Sequence, residues 1–381
     1  MERLLGPSFA RSRSVVTKGL RPMKILSKSS KIRGAVGLAP LALLAILVAA
    51  SGAAAGCGGD DATIGANEPG KDGGATSDDG TTGGDADLGD GGTSGDGATQ
   101  GDASLAPLTT VFTIVMENHD YDEIIAPDGG AGNAPFVHSL IKDYGLALNY
   151  SETGNPSLPN YLAMASGANQ YPGVVDLDPT QGPFPVTKEN LGSQLEAKKL
   201  PWRSYQESMG TPCNLSASGP YAPKHNPFLY FDDIQNGPNG LCAKTSVDFT
   251  AFPADLAAGT YRYMWITPNL TSDGHDPANK PDVALKTSDA WAKTEIEKIM
   301  ATSAYQNGGV IFLTWDEAEG RNGRSKTRIP MIIISPRIVS KGFTSNKPYS
   351  HKSYVATVED ILGLPRLATV TAEPSMMEFF K

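Results

Sequence analysis

Acidic and amide side chains directly follow two apolar runs of this chain. Glu117 and Asn118 come after one run, and Asp316 and Glu317 come after another. Carboxylates gathered at one place repel one another, and a divalent cation is the economical way to balance them. Oxygen ligands of this kind suit Mg²⁺, Ca²⁺ or Mn²⁺, while added histidines also admit zinc or iron. Taken alone, each acidic pair is also consistent with a solvated loop or a helix cap.

Histidines and a lysine lie in comparable positions. Asp273 and His275 follow a third apolar run, and His351 stands before a helical pattern. A histidine there can bind a metal, act as a general acid or stabilise a transition state, although a lone histidine is more often structural. Lys224 and His225 lie in a segment rich in proline and asparagine, and their positive charge would suit a phosphate pocket.

One serine, Ser157, has the surroundings of a nucleophile. It lies between Pro156 and Pro159, and Pro159 suits the first turn of a helix because an N–H group is not needed there. The free N–H groups and the dipole at a helix start favour a phosphate or an oxyanion beside the hydroxyl. Serine is also a preferred helix cap, so a purely structural role is the alternative.

The pattern of the chain from residue 107 onward predicts strands that alternate with helices. Short runs that are apolar on both faces, as buried parallel strands are, cover 109–116, 261–267, 309–315 and 329–335. Helical patterns cover 135–144, 160–166, 191–199, 288–303 and 353–362. This alternation predicts a three-layer α/β/α sandwich with a mainly parallel central sheet. Ligands of such sheets bind beyond the carboxyl ends of the strands, where the polar residues described above lie.

The first 56 residues have the pattern of a lipoprotein signal peptide. Nine lysines and arginines precede residue 34, and an apolar run covers residues 35–50. Residues 54–57, which end in Cys57, resemble a bacterial lipobox. We therefore expect export, cleavage before Cys57 and its lipidation, which would tether the chain to a membrane facing the periplasm or the cell exterior. An ordinary secreted protein or a signal anchor is the alternative.

Residues 57–106 are predicted to be a flexible acidic linker. Beyond Cys57 they are mostly Gly, Asp, Thr, Ser and Ala and carry ten aspartates and Glu68 against Lys71, so they cannot bury a core. Residues 107–381 are long enough for one large catalytic domain. This part is mildly acidic and lacks tracts rich in Lys and Arg, which argues against a nucleic-acid partner.

The cysteines support an exported protein. If Cys57 carries lipid, Cys213 and Cys242 remain as a pair, and a disulfide is the expected outcome in an oxidising compartment. A zinc site is the weaker alternative, because no CxxC motif or nearby histidine cluster accompanies them.

Together these motifs resemble the bacterial phosphoesterase family, which contains secreted acid phosphatases and phospholipases C and belongs to the alkaline phosphatase superfamily. The resemblance covers about residues 111–365, and it depends on the order and spacing of the motifs. The motifs are Glu117-Asn118, Ser157-Leu158-Pro159-Asn160-Tyr161, Lys224-His225-Asn226-Pro227, Asp273-Gly274-His275-Asp276, Trp315-Asp316-Glu317 and Ser350-His351.

The resemblance implies an alkaline phosphatase-like fold and a role for each motif. Ser157 would be the nucleophile and would form a phosphoseryl intermediate. The implied metal ligands are the Ser157 oxygen, Glu117, Asn118, Asp316, Glu317 and, less securely, Asp273. His275 and His351 would bind a second metal or donate to the phosphoryl and leaving-group oxygens. The implied substrate-binding residues are Asn160, Lys224 and His225.

The function implied is metal-assisted hydrolysis of phosphate esters by an acid phosphatase. Its substrates would be small organic phosphates or lipid head groups such as phosphoinositides, and no obligate protein partner is indicated. A phospholipase C-like phosphodiesterase and a catalytically inactive, surface-tethered binding protein are the alternatives. One departure concerns Asn155, which stands where many relatives have histidine, so no role is carried over to that position.

Overall fold

The computed structural model describes residues 107–125, 132–169, 175–321 and 325–381. The predicted signal peptide (1–56), the lipidation of Cys57 and the linker (57–106) lie outside the described residues and stay predictions. Within the described ranges, no helix is both long and apolar enough to cross a membrane.

The strands of the described residues form an eight-stranded sheet and a separate two-stranded pair. In chain order they are β1 (Thr110–Met116), β2 (Gly145–Ala147), β3 (Tyr150–Ser151), β4 (Trp202–Gln206), β5 (Ser246–Asp248), β6 (Tyr263–Thr267), β7 (Gly309–Trp315), β8 (Met331–Ile334), β9 (Thr344–Ser345) and β10 (Tyr349–Ser350). The large sheet has the order β5-β4-β6-β1-β7-β8-β2-β9, and β3 pairs with β10.

The centre of the sheet is parallel, as the sequence predicted. Strands β5, β4, β6, β1 and β7 all run in one direction. Strands β1, β6 and β7 are buried along their whole length, which explains their β-branched and aromatic composition. Strand β8 lies at its predicted position but runs antiparallel to both β7 and β2.

The helices of the described residues connect these strands. In chain order they are α1 (Tyr121–Ile124), α2 (Pro135–Asp143), α3 (Ser157–Ser166), α4 (Leu191–Lys198), α5 (Asp232–Gln235), α6 (Leu241–Thr245), α7 (Phe252–Ala258), α8 (Pro281–Met300), α9 (Ser303–Gln306) and α10 (His351–Leu362). Helix α8 begins seven residues before its predicted start of 288, because Pro281 occupies its first turn.

Helices cover both faces of the sheet. Thr113 of β1 hydrogen-bonds the hydroxyl of Tyr354 in α10 over 2.6 Å. Met116, three positions further along β1, instead lies in a cluster with Val137 of α2 and Leu285 of α8. Since side chains alternate between the two faces of a strand, α10 covers one face while α2 and α8 cover the other. The predicted three-layer α/β/α sandwich is confirmed.

The predicted disulfide is present between Cys213 and Cys242. Their Cα atoms are 5.4 Å apart, and the bond closes a loop between residues that are 29 positions apart in the sequence. The loop contains the segment with Lys224 and His225, so the disulfide restricts the region that carries both residues.

Candidate active site

The polar residues that follow β1, β6 and β7 meet at one edge of the sheet. Glu117, Asp273 and Asp316 are each fully buried there. The backbone ties them together, because the Glu117 N–H donates to the Asp273 carbonyl over 2.9 Å and the Asn118 N–H donates to Asp316 Oδ1 over 3.1 Å. Parallel neighbouring strands explain this meeting, since their carboxyl ends lie side by side.

Ser157 is the first residue of α3, and Pro156 precedes it at the helix cap. Its hydroxyl has two acceptors within reach of its single proton, Glu117 Oε2 at 3.2 Å and Glu317 Oε1 at 3.4 Å. Pro156 occupies the N-cap position and makes no side-chain cap hydrogen bond, so Ser157 is not the capping residue of α3. A buried hydroxyl that faces two carboxylates is arranged for chemistry rather than for capping.

Tyr161, one helical turn after Ser157, holds the other oxygen of Glu117. Its hydroxyl donates to Glu117 Oε1 over 2.6 Å. The Tyr161 ring stacks on the imidazole of His225, with ring centres 4.9 Å apart and planes 11° apart. Residues four apart on a helix share a face, so Ser157 and Tyr161 approach the same carboxylate from α3.

Several buried polar atoms around Ser157 have no hydrogen-bond partner. They are Asn118 Oδ1, His225 Nε2, Asp273 Oδ2, Asp316 Oδ2 and Glu317 Oε2. The amide of Asn118 is oriented by Glu319, whose Oε1 accepts from Asn118 Nδ2 over 3.0 Å and so leaves Oδ1 free. Buried polar atoms in native proteins nearly always have partners, and a group of unpartnered ones suggests a bound ion or water.

Burial raises the pKa of the carboxyl groups in this cluster. Burial and the charge of Asp316 raise the pKa of Glu117, and burial also raises that of Asp273. Burial raises the pKa of Asp316 to about 6. Burial, reinforced by the charge of Asp316, raises the pKa of Glu317 to about 9. Without a balancing cation, these carboxylates cannot all be ionised together at neutral pH.

Lys224 and His225 face this cluster from the next segment of the chain. Burial alone would lower the pKa of Lys224, but the charges of Glu117 and Asp176 outweigh it and raise that pKa. Burial lowers the pKa of His225, so its imidazole is neutral at pH 7. His225 Nε2 lies 3.2 Å from Glu117 Oε1 without forming a hydrogen bond, and Nδ1 lies 3.7 Å from Asp273 Oδ2. A buried neutral imidazole beside two carboxylates has the chemistry of a metal ligand.

The donor set fits a divalent cation in its chemistry. Asn118, Asp316 and Glu317 have unpartnered oxygens at this edge of the sheet, Glu317 also contacts the Ser157 hydroxyl, and the unpartnered nitrogen of His225 lies beside the other oxygen of Glu117. In the described part of the chain, however, no three acidic, histidine or cysteine side chains are placed closely enough to hold a metal ion together. Oxygen donors with one imidazole suit Mn²⁺, Fe²⁺ or Zn²⁺ as well as Mg²⁺.

Asn160 uses its amide to hold the loop that precedes Ser157. Its Oδ1 accepts from the N–H groups of Thr153 and Gly154, each over 3.0 Å, and its Nδ2 donates to the Gly154 carbonyl. The predicted role of Asn160 in substrate binding stays a prediction, and these bonds favour a positioning role instead. Asn155, in the same loop, is exposed.

The two predicted catalytic histidines differ in accessibility. His275 lies at the rim, where its side chain is 31% exposed and Nδ1 is 3.0 Å from Asp276 Oδ1. His351 is fully buried, and its two nitrogens contact the Tyr150 hydroxyl at 3.1 Å and the Asp316 carbonyl at 2.7 Å. Burial lowers the pKa of His351 to about 4. This arrangement favours a neutral His351 that fixes the end of β7, and its direct catalytic role stays a prediction.

The sequence assigned no role to three further residues at the site, Glu152, Asp176 and Tyr161, although Tyr161 belongs to the Ser157 motif. Asp176 Oδ1 accepts from the Leu158 N–H over 3.0 Å, and Glu152 Oε2 accepts from the Ala318 N–H over 2.6 Å. Burial raises the pKa of Glu152 to about 8. The role of Tyr161 could have been found from its spacing to Ser157 on a helix. For Asp176 and Glu152 no sequence signal exists, because both lie in loops far from the motifs that they contact.

Comparison with known proteins matches residues 130–365 to the Phosphoesterase family. The chain belongs to this family. As a member, this phosphoesterase is a phosphoric ester hydrolase, so the predicted family and enzyme class are confirmed.

The phosphoesterase is similar to proteins that are named as phosphatases. A phosphatidylinositol-3-phosphatase of Mycobacterium tuberculosis is 28% identical over 281 residues, covering 73% of this chain and 85% of that protein. A probable acid phosphatase of Kluyveromyces lactis is 28% identical over 289 residues, covering 73% of this chain and 63% of that protein. The phosphoesterase thus spans less than two thirds of the length of the yeast relative.

A solved structure supports the fold. It comes from Bacteroides thetaiotaomicron, from a core genetic locus for the metabolism of glycosaminoglycans. It matches with a TM-score of 0.50 at 10% identity, covering 72% of this chain and 77% of that chain. At this identity the likeness bears on the fold alone.

Proposed function

We propose that this phosphoesterase is an acid phosphatase that hydrolyses phosphate monoesters through a phosphoseryl intermediate on Ser157. One observation carries the proposal. The Ser157 hydroxyl, at the start of α3, faces the two buried carboxylates of Glu117 and Glu317. The names of the mycobacterial and yeast relatives support hydrolysis of a phosphate ester, including a phosphorylated lipid head group.

Glu117 and Tyr161 prepare the nucleophile in this proposal. Glu117 Oε2 is the closer of the two acceptors of the Ser157 hydroxyl and receives its proton as Oγ attacks phosphorus. The 2.6 Å bond from the Tyr161 hydroxyl keeps the opposite oxygen of Glu117 from turning away. A serine hydroxyl is a weak nucleophile near neutral pH until such a partner activates it.

A divalent cation held by Asn118, Asp316 and Glu317 would lower the pKa of the serine hydroxyl and offset charge on the phosphate oxygens. The unpartnered oxygens of these three side chains support this ligand set. Lys224 adds a positive charge next to the same edge, where its ammonium group is paired with Asp176.

The remaining steps form the phosphoseryl intermediate and then hydrolyse it. The bond between Ser157 Oγ and phosphorus forms while the bond from phosphorus to the ester oxygen breaks, and the departing oxygen takes a proton. His275 is our candidate for that proton donor, because it is the accessible histidine at the rim. Water then attacks phosphorus, the bond to Ser157 Oγ breaks, and the serine regains its proton as orthophosphate leaves.

The Ser157→Ala variant tests the nucleophile. We expect turnover of an aryl phosphate to fall by about 10⁴-fold or more, as when a covalent nucleophile is removed elsewhere. Acid quenching of the wild-type protein with a ³²P-labelled substrate should trap a phosphoserine in the peptide that contains residue 157, and the variant should trap none.

Ser193→Ala is the matched control, since Ser193 lies in the first turn of α4 and bonds only the Asn190 cap. It should keep turnover within about twofold of wild type because it lies outside the site. Near-normal turnover by the Ser157 variant would overturn the proposal. A diester substrate measured in parallel distinguishes the phosphodiesterase alternative, which uses the same groups.

A further inference from the structure

Two hydrogen-bond donors beside the Ser157 hydroxyl are already occupied by a carboxylate of the protein. Asp176 Oδ1 accepts from the N–H of Leu158, the residue that follows the nucleophile, over 3.0 Å. Asp176 Oδ2 pairs with the ammonium group of Lys224. A helix N-terminal N–H and a lysine are the groups that favour an anionic oxygen. An aspartate therefore lies where oxygens of a phosphate next to Ser157 would find positive charge.

The segment that follows Asp176 is held by hydrogen bonds. The Tyr230 hydroxyl donates to the Leu177 carbonyl over 2.6 Å, and the Asp178 N–H donates to Gln181 Oε1 over 3.1 Å. The Asp176 side chain is 31% exposed and that of Lys224 is 22% exposed. The carboxylate is therefore accessible to solvent on one side and paired with the first turn of α3 and with Lys224 on the other.

One positive and one acidic group are the charged neighbours of Asp176 that bear on the argument. Its carboxylate pairs with the ammonium group of Lys224, and its charge contributes to the raised pKa of Glu317, while Tyr230, whose pKa burial raises, is a neutral neighbour. Asp176 compensates the charge of Lys224, and the cluster around Ser157 adds further carboxylates. A phosphate that approaches Ser157 must displace Asp176 or lie beside it. Both arrangements are less favourable for a phosphate with two negative charges than for one with a single charge, because its repulsion from the Asp176 carboxylate scales with its charge.

We propose that Asp176 is a specificity-determining residue that makes the site favour phosphate groups with a single negative charge. This inference rests on the proposed function, in which the phosphate binds beside Ser157. A monoester carries one charge below the second phosphate pKa of about 6 and two charges above it. A diester carries one charge throughout. Asp176 therefore favours monoesters in acid and diesters at any pH.

Asp176→Asn in the full chain tests this, because the amide oxygen of asparagine can still accept from the Leu158 N–H, while the negative charge and the acceptor for the Lys224 ammonium are removed. We expect kcat/KM for an aryl phosphate monoester to rise about tenfold at pH 7.5, as the loss of one screened unit charge predicts. The monoester at pH 5 and a bis-aryl phosphate diester each carry a single charge, so kcat/KM for both should rise only about threefold, half of the effect in free energy. Asp178→Asn, which makes the same change of charge two residues away, should alter none of these values.

If Asp176→Asn changed kcat/KM at pH 7.5 by the same factor for the monoester and the diester, in either direction, the proposal would be overturned. Such a result would mean that Asp176 only positions Lys224. A second measurement does not need turnover. Orthophosphate at pH 7.5 should bind Ser157→Ala/Asp176→Asn about tenfold tighter than Ser157→Ala in calorimetry, again from the loss of one screened charge. Equal affinities would overturn the inference. A missing phosphoserine in the wild-type protein would instead contradict the nucleophile, whatever the charge preference.

Discussion

Two groups of carboxylates in this phosphoesterase have opposite surroundings. Near the C-terminus, Glu378 receives hydrogen bonds from Ser345, Lys347 and Tyr349. Burial would raise the pKa of Glu378, but these bonds outweigh it and lower that pKa. At the carboxyl end of β7, Asp316 and Glu317 keep unpartnered oxygens, and burial raises their pKa values.

The difference separates a structural carboxylate from a functional one. Glu378 is surrounded by donors that stabilise its charge without any outside partner. The oxygens of Asp316 and Glu317 lack enough donors, so the folded chain bears an electrostatic cost there that only a cation or protons can relieve. Such unrelieved groups persist at sites that bind something.

Asp316→Asn should produce the largest effect. It removes a fully buried carboxylate with an unpartnered oxygen, so we expect kcat/KM for an aryl phosphate to fall about 10³-fold, comparable to the loss of one key electrostatic group. Binding of Mn²⁺, followed by calorimetry, should weaken in parallel. The melting temperature of the cation-free protein should stay the same or rise, because the variant removes a buried charge.

Glu378→Gln is the matched control for this change. Turnover should remain within about twofold of wild type, while the melting temperature falls by about 2–4 °C because a charge-assisted bond is lost. If Asp316→Asn instead destabilised the protein and left turnover intact, the distinction between the two groups would be wrong.

The dependence of stability on pH should also distinguish the two groups. The folded-state pKa values of Asp316 and Glu317, about 6 and about 9, lie above their ordinary values of 3.8 and 4.5. Between about pH 4 and pH 9 the folded, cation-free protein therefore binds more protons than the unfolded chain, and its free energy of unfolding falls as pH rises. A divalent cation binds the ionised carboxylates and should stabilise the protein more at pH 8 than at pH 5.

Urea unfolding in chelator and in Mn²⁺ at both pH values would measure this. Glu378 contributes with the opposite sign, because its lowered pKa gives stability that is lost as pH falls below its ordinary value of 4.5. A cation-free protein that becomes more stable from pH 5 to pH 8 would contradict the unrelieved charge at the site.

Tyr161→Phe should give the smallest effect. It removes the hydroxyl that donates to Glu117 Oε1 but keeps the ring that stacks on His225. We expect kcat to fall about tenfold with little change in KM, as for other residues that orient an active group. Tyr205→Phe is a suitable comparison. The Tyr205 hydroxyl donates to Asp255 over a distance of 3.0 Å, and this pair does not belong to the Ser157 cluster. A similar loss in both variants would mean that Tyr161 supports only the fold.

Much of the fold could be predicted from the chain. The runs at β1, β6 and β7 were found almost to the residue, because buried parallel strands are apolar on both faces. Strand β4 was not predicted, since Trp202–Gln206 is polar at Arg203, Ser204 and Gln206. The direction of β8 could not be predicted either, because an apolar run has no signal for parallel or antiparallel pairing.

The candidate site also has some features that the sequence could predict and others that it could not. Acids directly after buried strands must meet at one sheet edge, so Glu117 and Asp316 could be grouped from sequence. The different accessibility of His275 and His351 could not be predicted from the sequence. The imidazole of His275 is partly exposed, whereas that of His351 is enclosed by Tyr150 and the Asp316 carbonyl. Burial and partners, which decide whether a histidine can act, arise from distant parts of the chain.

The sequence by itself determined the apolar central strands, the order of the motifs and the family, since these depend on residue type and local spacing. It also predicted that Ser157 lies close to the start of a helix, because the flanking prolines restrict the backbone there. Only the tertiary structure decided that Ser157 and Tyr161 share Glu117, that Glu317 also contacts Ser157, and that Asp176 pairs with Lys224. These contacts join loops far apart in the chain, and their charges interact only once folding has excluded water between them.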